Sequence, residues 1–345
     1  MTLQRWKRSG LGCIAAALIG GLSLTGCGSD PDKAAEFTKA FETALQNDND
    51  TEYSAAEARC IAQPLVVALT VKQLETNKVT AKQVAAAKDL DDLNLKPSAA
   101  QSTAIADEIV RCVDASKKLL SAAKETNPEL KPDAAAAKCV KDALKKSSVY
   151  RDNLRDSIQQ GKDYKPDAEA AEEFVMKTLG ACELALYSKA AYVEAGLKSF
   201  DAASDDNPFT EDDAECIIEG IVDVITPVKL SSEAVRPPDF EEDSELILSD
   251  IVSRDEADKI AEKLESCIDL IDFIRQVFEQ VGLFDELSPE FSDCFFKALG
   301  EDPKVASAFR DAFVAGFLGD EEAASDIDFM AIGEELGAKC AESLL

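Results

Sequence analysis

Beyond about residue 30, apolar positions recur mostly at helical spacing, and strand-type alternation is scarce. Residues 207–230, NPFTEDDAECIIEGIVDVITPVKL, show the pattern best. Ile217, Ile221, Val224 and Ile225 stand at i, i+4, i+7 and i+8, one face of an amphipathic helix. Thr210 and Asp213 fit a capping box, in which the cap hydroxyl and an acid three residues on satisfy N–H groups at the helix start. Cys216 follows that cap by six residues. The same offset joins Ser54 to Cys60, Asp133 to Cys139 and Ser288 to Cys294. Ser54 has Glu57 as its box partner, Pro132 precedes Asp133, and Pro289 follows Ser288. Ile61, Leu65, Ala68 and Leu69 repeat the apolar face.

A second Cys-bearing helix follows each of these. Its caps are Ser98, Asp167, Ser253 and Asp326, and its cysteines are Cys112, Cys182, Cys267 and Cys340, at offsets of 14, 15, 14 and 14. Each sulfur is thus expected about four turns into its helix. In the best example Ile260, Leu264, Cys267, Ile268 and Ile271 share a face. The four units also pair. Cys60 to Cys216 spans 156 residues, Cys112 to Cys267 155, Cys139 to Cys294 155 and Cys182 to Cys340 158. Thr70 matches Thr226, Leu74 matches Leu230, and Arg155-Asp156 matches Arg310-Asp311. The pattern predicts an all-α protein, a tandem duplicated array of disulfide-stapled helical units.

Residues 34–200 form the expected first half and 208–345 the second, with the polar 201–207 as linker. A helix is expected from Pro31 to Gln46, with Phe37, Phe41 and Leu45 on one face. Pro64 and Gly220 occupy matching places inside their helices, which predicts a kink or close packing there. Residues 236–245, RPPDFEEDSE, read as a loop. Phe291, Phe295, Phe296, Phe309, Phe313 and Phe317 make the last unit the most aromatic; they suit a core, with an apolar groove as the alternative.

The front of the chain has another character. Arg5, Lys7 and Arg8 precede an apolar run of 14 residues from Leu11 to Leu24, short for a membrane span. Leu24-Thr25-Gly26-Cys27 follows. This order of charge, apolar run and box is similar to the signal peptides of bacterial lipoproteins. The resemblance implies that residues 1–26 are removed, taking Cys13 with them, and that Cys27 carries a diacylglycerol, leaving 27–33 as a lipidated tether. Two buried acyl chains hold a protein stably on a membrane. The expected location is extracytoplasmic, anchored to the cell membrane by lipid.

Without the signal the chain has 34 basic and 67 acidic residues, a net charge of −33. Such an excess disfavours nucleic acid, whose binding depends on cations that neutralise phosphates. Eight cysteines remain once Cys13 and Cys27 are set aside, and an even number in an exported chain implies disulfides. Pairing within units gives Cys60–Cys112, Cys139–Cys182, Cys216–Cys267 and Cys294–Cys340. The rival joins Cys112–Cys139, Cys182–Cys216, Cys267–Cys294 and Cys60–Cys340, and needs contact between distant ends. With no histidine and no C-x-x-C pair, zinc is not expected. Catalytic sets built on histidine are excluded, and the usual phosphate-binding and nucleophile-elbow motifs are missing. No metal or cofactor is expected. Asp48, Asp50 and Glu52 alternate but lack an EF-hand frame, and Asp201, Asp205 and Asp206 also lack it.

Ala58 to Ile61 and Ala137 to Val140 fit A-x-C-[IV], and Cys112 to Asp114 and Cys267 to Asp269 fit C-[IV]-D. In these the chain resembles exported actinobacterial proteins and lipoproteins with Cys-paired helical repeats, largely of unknown function. Cys294-Phe295 and Cys340-Ala341 depart from that pattern. The resemblance implies no catalytic residues. The expected function is a non-enzymatic binding or scaffold module in the cell envelope, whose partners are the membrane, through the lipid, and an envelope protein or apolar ligand. The alternatives are a carrier of apolar ligands or lipids, and an enzyme working through carboxylates.

Overall fold

The structure, a computed structural model, describes residues 30–47, 53–87, 90–93, 95–202, 209–242, 244–280, 288–320 and 329–343. Among them there are helices and no strands. The chain forms two compact units, Met1–Leu184 and Ala185–Leu345.

In the first unit α1 is Pro31–Gln46, α2 Ala55–Leu69, α3 Val71–Thr76, α4 Ala81–Ala86 and α5 Ala99–Cys112. Then come α6 Ala115–Thr126, α7 Ala134–Lys146, α8 Ser148–Gln160 and α9 Ala168–Gly180. Phe37, Phe41 and Leu45 of α1 pack with Ile61, Leu65 and Leu69 of α2, Ile105 and Ile109 of α5, and Leu154 and Ile158 of α8. Ile61, Leu65, Leu69, Leu74 and Ile105 are fully buried. Each such side chain contributes roughly 1.5–3 kcal/mol through burial. The caps hold α2 and α5 at their starts: Ser54 and Glu57, and Ser98 and Gln101, form full capping boxes. Asp133 accepts from the Ala136 N–H at 2.7 Å. Pro64 lies within α2, which continues through it to Leu69.

The second unit comprises α10 Lys189–Ala202, α11 Glu211–Ile225, α12 Pro227–Ser232, α13 Pro237–Glu242 and α14 Ser244–Ile251. It continues with α15 Arg254–Cys267, α16 Leu270–Gln280, α17 Pro289–Glu301, α18 Pro303–Phe317 and α19 Phe329–Ser343. Its packing repeats that of the first. As α1 lies on α2 and α4, so α10 lies on α11 and α13; as α5 joins α2 to α8, so α15 joins α11 to α18. Thr210 with Asp213 forms the predicted box, the predicted cap Ser253 forms one with Glu256, and Ser288 accepts from the Phe291 N–H. Asp326 lies outside the described residues.

Three expectations need correction. The units divide between Leu184 and Ala185, not at 201–207. The repeat begins with the helix before each first cysteine, and α10 packs with the second half: Tyr192 is fully buried there and donates to the Val235 carbonyl at 2.7 Å. Gly196 permits that approach, since a Cβ there would lie 2.7 Å from Ile218 Cγ2. Second, 236–245 is largely helical. Pro237 and Pro238 sit in the first turn of α13, where a missing N–H costs nothing. Asp239 accepts from the Arg236 N–H at 2.9 Å, and Phe240 is fully buried. Third, the face proposed for Ile260 to Ile271 breaks at Cys267, where α15 ends. Ile260, Leu264 and Ile268 join one core, and Ile271 packs on another with Ile274.

The backbone repeats even in its costly conformations. Thr70 (φ 54°) and Thr226 (φ 66°) each end a long helix and cap the next short one, accepting from the N–H of Gln73 and Lys229. Lys78 (φ 58°) and Ala234 (φ 60°) are the left-handed residues of two Schellman motifs. Their closing bonds run from Val79 N–H to the Leu74 carbonyl and from Val235 N–H to the Leu230 carbonyl, each 2.9 Å.

Candidate functional site

The four cysteine pairs are bridged within units, the simpler of the two expected pairings: Cys60–Cys112, Cys139–Cys182, Cys216–Cys267 and Cys294–Cys340. The bridges close 52, 43, 51 and 46 residues. In the chain-entropy picture loops of this size are each stabilised by about 4 kcal/mol. Cys112 and Cys267 are the last residues of α5 and α15, whereas Cys182 lies two residues past the end of α9. Each bridge ties a capped first helix to the close of its unit. Cys182 and Cys340 are buried, and Cys216 is exposed. Such bridges suit an oxidising, extracytoplasmic compartment. No described helix is long and apolar enough to cross a membrane.

Polar contacts reinforce the staples, and here the halves diverge. In the first, the Gln101 amide nitrogen donates at 2.7 Å both to the Ala68 carbonyl and to the Gln73 side-chain oxygen. At the matching places in the second, the Lys229 ammonium meets the Glu256 carboxylate at 2.6 Å. Burial alone raises that carboxyl, but Lys229 and the Ser253 hydroxyl and N–H outweigh it and bring it to about 2. Beside the first staple, Glu57 accepts from the Asp114 N–H at 3.0 Å, and Asp114 pairs with Lys141 at 2.6 Å. The counterpart of Lys141 is Phe296, in an apolar core. Asp107 binds Arg151 at 2.7 Å across α5 and α8. Its counterpart Glu262 binds Arg310 at 2.7 Å from one turn further along α18. Arg155, the counterpart of Arg310, turns instead to Asp152 and Asp156. Tyr150 is pushed up to about 12 by burial.

The phenylalanines of the last unit do not form one cluster. Phe295 and Phe296 are buried with Phe291, Phe309 and Phe278 around them, whereas Phe313 and Phe317 pack on the core of α11 and α15. The Phe295 and Phe296 rings meet edge to face at 5.7 Å, and Phe278 lies 6.4 and 6.2 Å from them. These rings pack against one another. An open depression of about 410 Å³ lies in the first unit, lined by Asn77, Lys78, Val79, Gln83 and Asp92 among others. Its lining is mainly polar.

What the linear reading missed is how the charge divides. Residues 30–184 hold 22 basic and 27 acidic residues, a net −5; residues 185–345 hold 12 and 40, a net −28. The long helices α2 and α11 illustrate this. The exposed Arg59, Gln63 and Val67 of α2 stand where α11 exposes Glu215, Glu219 and Asp223. Lys189 answers two of these, at 3.7 Å from Glu219 and 2.7 Å from Asp223. Splitting the count at the repeat boundary would have revealed the asymmetry.

Cys13, Cys27, Asp48, Asp50, Glu52, Asp205 and Asp206 lie outside the described residues, and Asp201 lies in the last turn of α10 with its side chain undescribed. Among the described residues no group of three or more Cys, Asp or Glu side chains is placed to hold a metal ion. The chain matches no protein-family model, and neither curated proteins nor solved structures show a match to it.

Proposed function

We propose that this chain is a lipid-anchored protein of the cell envelope, attached through Cys27, whose two stapled halves act as a non-enzymatic binding or scaffold module. One observation carries the reading: the halves repeat the same frame of long helices, caps and bridges while the net charge of their sequences diverges from −5 to −28. A surface presented on a conserved frame is what a binding module needs. The alternative of an apolar-ligand carrier draws no support from the phenylalanines, whose rings pack against one another.

Cross-linking on intact cells, followed by extraction in mild detergent and mass spectrometry, tests this. The scaffold reading expects a stoichiometric protein partner and a diacylglycerol on Cys27. A bound lipid with no protein would favour the carrier instead. A Cys27→Ala protein that still fractionates with membranes would remove the anchor from the proposal.

A further inference from the structure

The helical hairpin α6–α7 is basic in a chain that is otherwise strongly acidic. Residues 115–146 hold eight basic and four acidic residues; the matching 270–301, which include α16 and α17, hold two and seven. The inversion is positional. Lys117 stands where the repeat has Asp272, Lys124 where it has Glu279, and Lys146 where it has Glu301. Lys117 and Lys124 are seven residues apart on α6, hence on one face, and Lys146 closes α7, which packs on α6. All three lysines are exposed, as are Asp272 and Glu301, and none of the three lysines holds an ion pair among the described residues. Lys138 is a different case. It pairs with Asp142, and its place in the repeat is taken by Asp293, with Lys297 where Asp142 stands, so that pair is reversed without a change in net charge.

The repeat does not require this basic face, because α16 and α17, at the matching places, carry the opposite sign. Two helix pairs at matching places of the repeat, one basic and one acidic, complement each other in charge between copies. We propose that the α6–α7 face of one molecule docks on the α16–α17 face of a second copy. Since the faces are repeats of each other, the contact would resemble a two-fold pairing of like hairpins. Each copy keeps one face of each sign, so association continues head to tail unless a ring closes. The net charge of the whole chain opposes clustering, and local complementarity selects this orientation over others. The inference names one partner for the scaffold reading and rests on it only in treating a surface as the working part. If it fails, the cross-linking experiment still decides that reading.

The test uses two fluorescently labelled preparations of the full chain in mild detergent, with energy transfer measured at about 20 mM and about 0.5 M salt, where screening lengths differ severalfold. Wild type should associate at low salt and weaken at least about tenfold at high salt. A Lys117→Glu, Lys124→Glu, Lys146→Glu variant has two acidic faces, and an Asp272→Lys, Glu279→Lys, Glu301→Lys variant has two basic ones. Neither should associate with itself, and mixing the two should restore transfer. Helix content and the four bridges should be unchanged in both. No association of wild type at low salt, or no rescue on mixing, overturns the proposal. Binding of wild type to vesicles rich in anionic lipid, lost with the three lysines and without self-association, also overturns it and assigns the face to lipid headgroups.

Discussion

Residues 70–79 and 226–235 build one turn, short helix and Schellman cap twice over, with different polar chemistry. Both begin on a threonine of positive φ, both bury a leucine completely, and both end on a left-handed residue before a valine. Yet Gln73 meets a glutamine from α5, and Lys229 meets a glutamate from α15. Position, cap and core leucine are set by the packing. The polar pair across the helices has only to satisfy its own hydrogen bonds, so it is free to gain charge. The same freedom, extended over the outer faces, accounts for two halves of one architecture and unlike electrostatics.

The largest expected effect comes from the staples. Replacing Cys60 and Cys112 together by Ser should destabilise the first half by about 4 kcal/mol and leave the second unaffected; Cys216 with Cys267 should do the reverse. Calorimetry would show one of two transitions moving. A single transition that shifts with either pair would break the independence of the halves. Next come the matched core leucines. Leu74→Ala and Leu230→Ala, both at 0% exposure, should each cost about 3 kcal/mol in their own half. Unequal costs would show that one site relaxes and the other does not.

The polar pairs sharpen the contrast through pH. Glu256 lies at about 2 against an ordinary 4.5, so its ionised form stabilises the second half above pH 4.5. That contribution is lost as pH falls from 4.5 towards 2. Glu256→Gln should cost about 1–2 kcal/mol at neutral pH and flatten the acid dependence, followed by urea unfolding between pH 5 and about 2.5. The first half has the opposite signature in Tyr150, held neutral at about 12 against an ordinary 10.0. Its contribution is intact below pH 10 and disappears as pH rises towards 12, and Tyr150→Phe should abolish that alkaline loss.

The smallest effects lie in the backbone and one hydroxyl. Lys78→Gly and Ala234→Gly should each stabilise by about 0.5–1 kcal/mol, since glycine lacks the Cβ that strains the left-handed conformation. Ser102 is fully buried with its hydroxyl unbonded, and its counterpart in the second half is Ala257. Ser102→Ala should therefore stabilise by about 1 kcal/mol. A loss of stability in either experiment would mean that these sites have partners in solution.

Caps, cysteine pairing and the faces of α1, α2 and α11 were legible in the sequence because local rules determine them. The cap at Thr210 lies three residues before Asp213 in the chain, and the repeat reduces the pairings to two, of which the structure has the one within units. What escaped depends on tertiary packing. The residues of α10 carry no cysteine and precede a polar stretch, so the sequence places them in the first half, which is expected to end at residue 200; the burial of Tyr192 and the close approach at Gly196 assign that helix to the second half. The 236–245 segment looked like a loop because of its two prolines and acids, but Phe240 anchors it as a helix. The charge inversion between hairpins was present in the sequence and was hidden by a whole-chain count.

The most direct test of a duplicated unit that starts one helix before its first cysteine is to express residues 185–345 and residues 208–345 separately under oxidising conditions. With α10 present the piece should form both of its bridges and unfold cooperatively, at a temperature close to that of the second half in the full chain. Without α10, Ile218 and Phe240 lose their cover, and the piece should be loosely packed, with scrambled bridges. If 208–345 folds as well as 185–345, the repeat begins at Thr210 and the boundary between Leu184 and Ala185 is wrong.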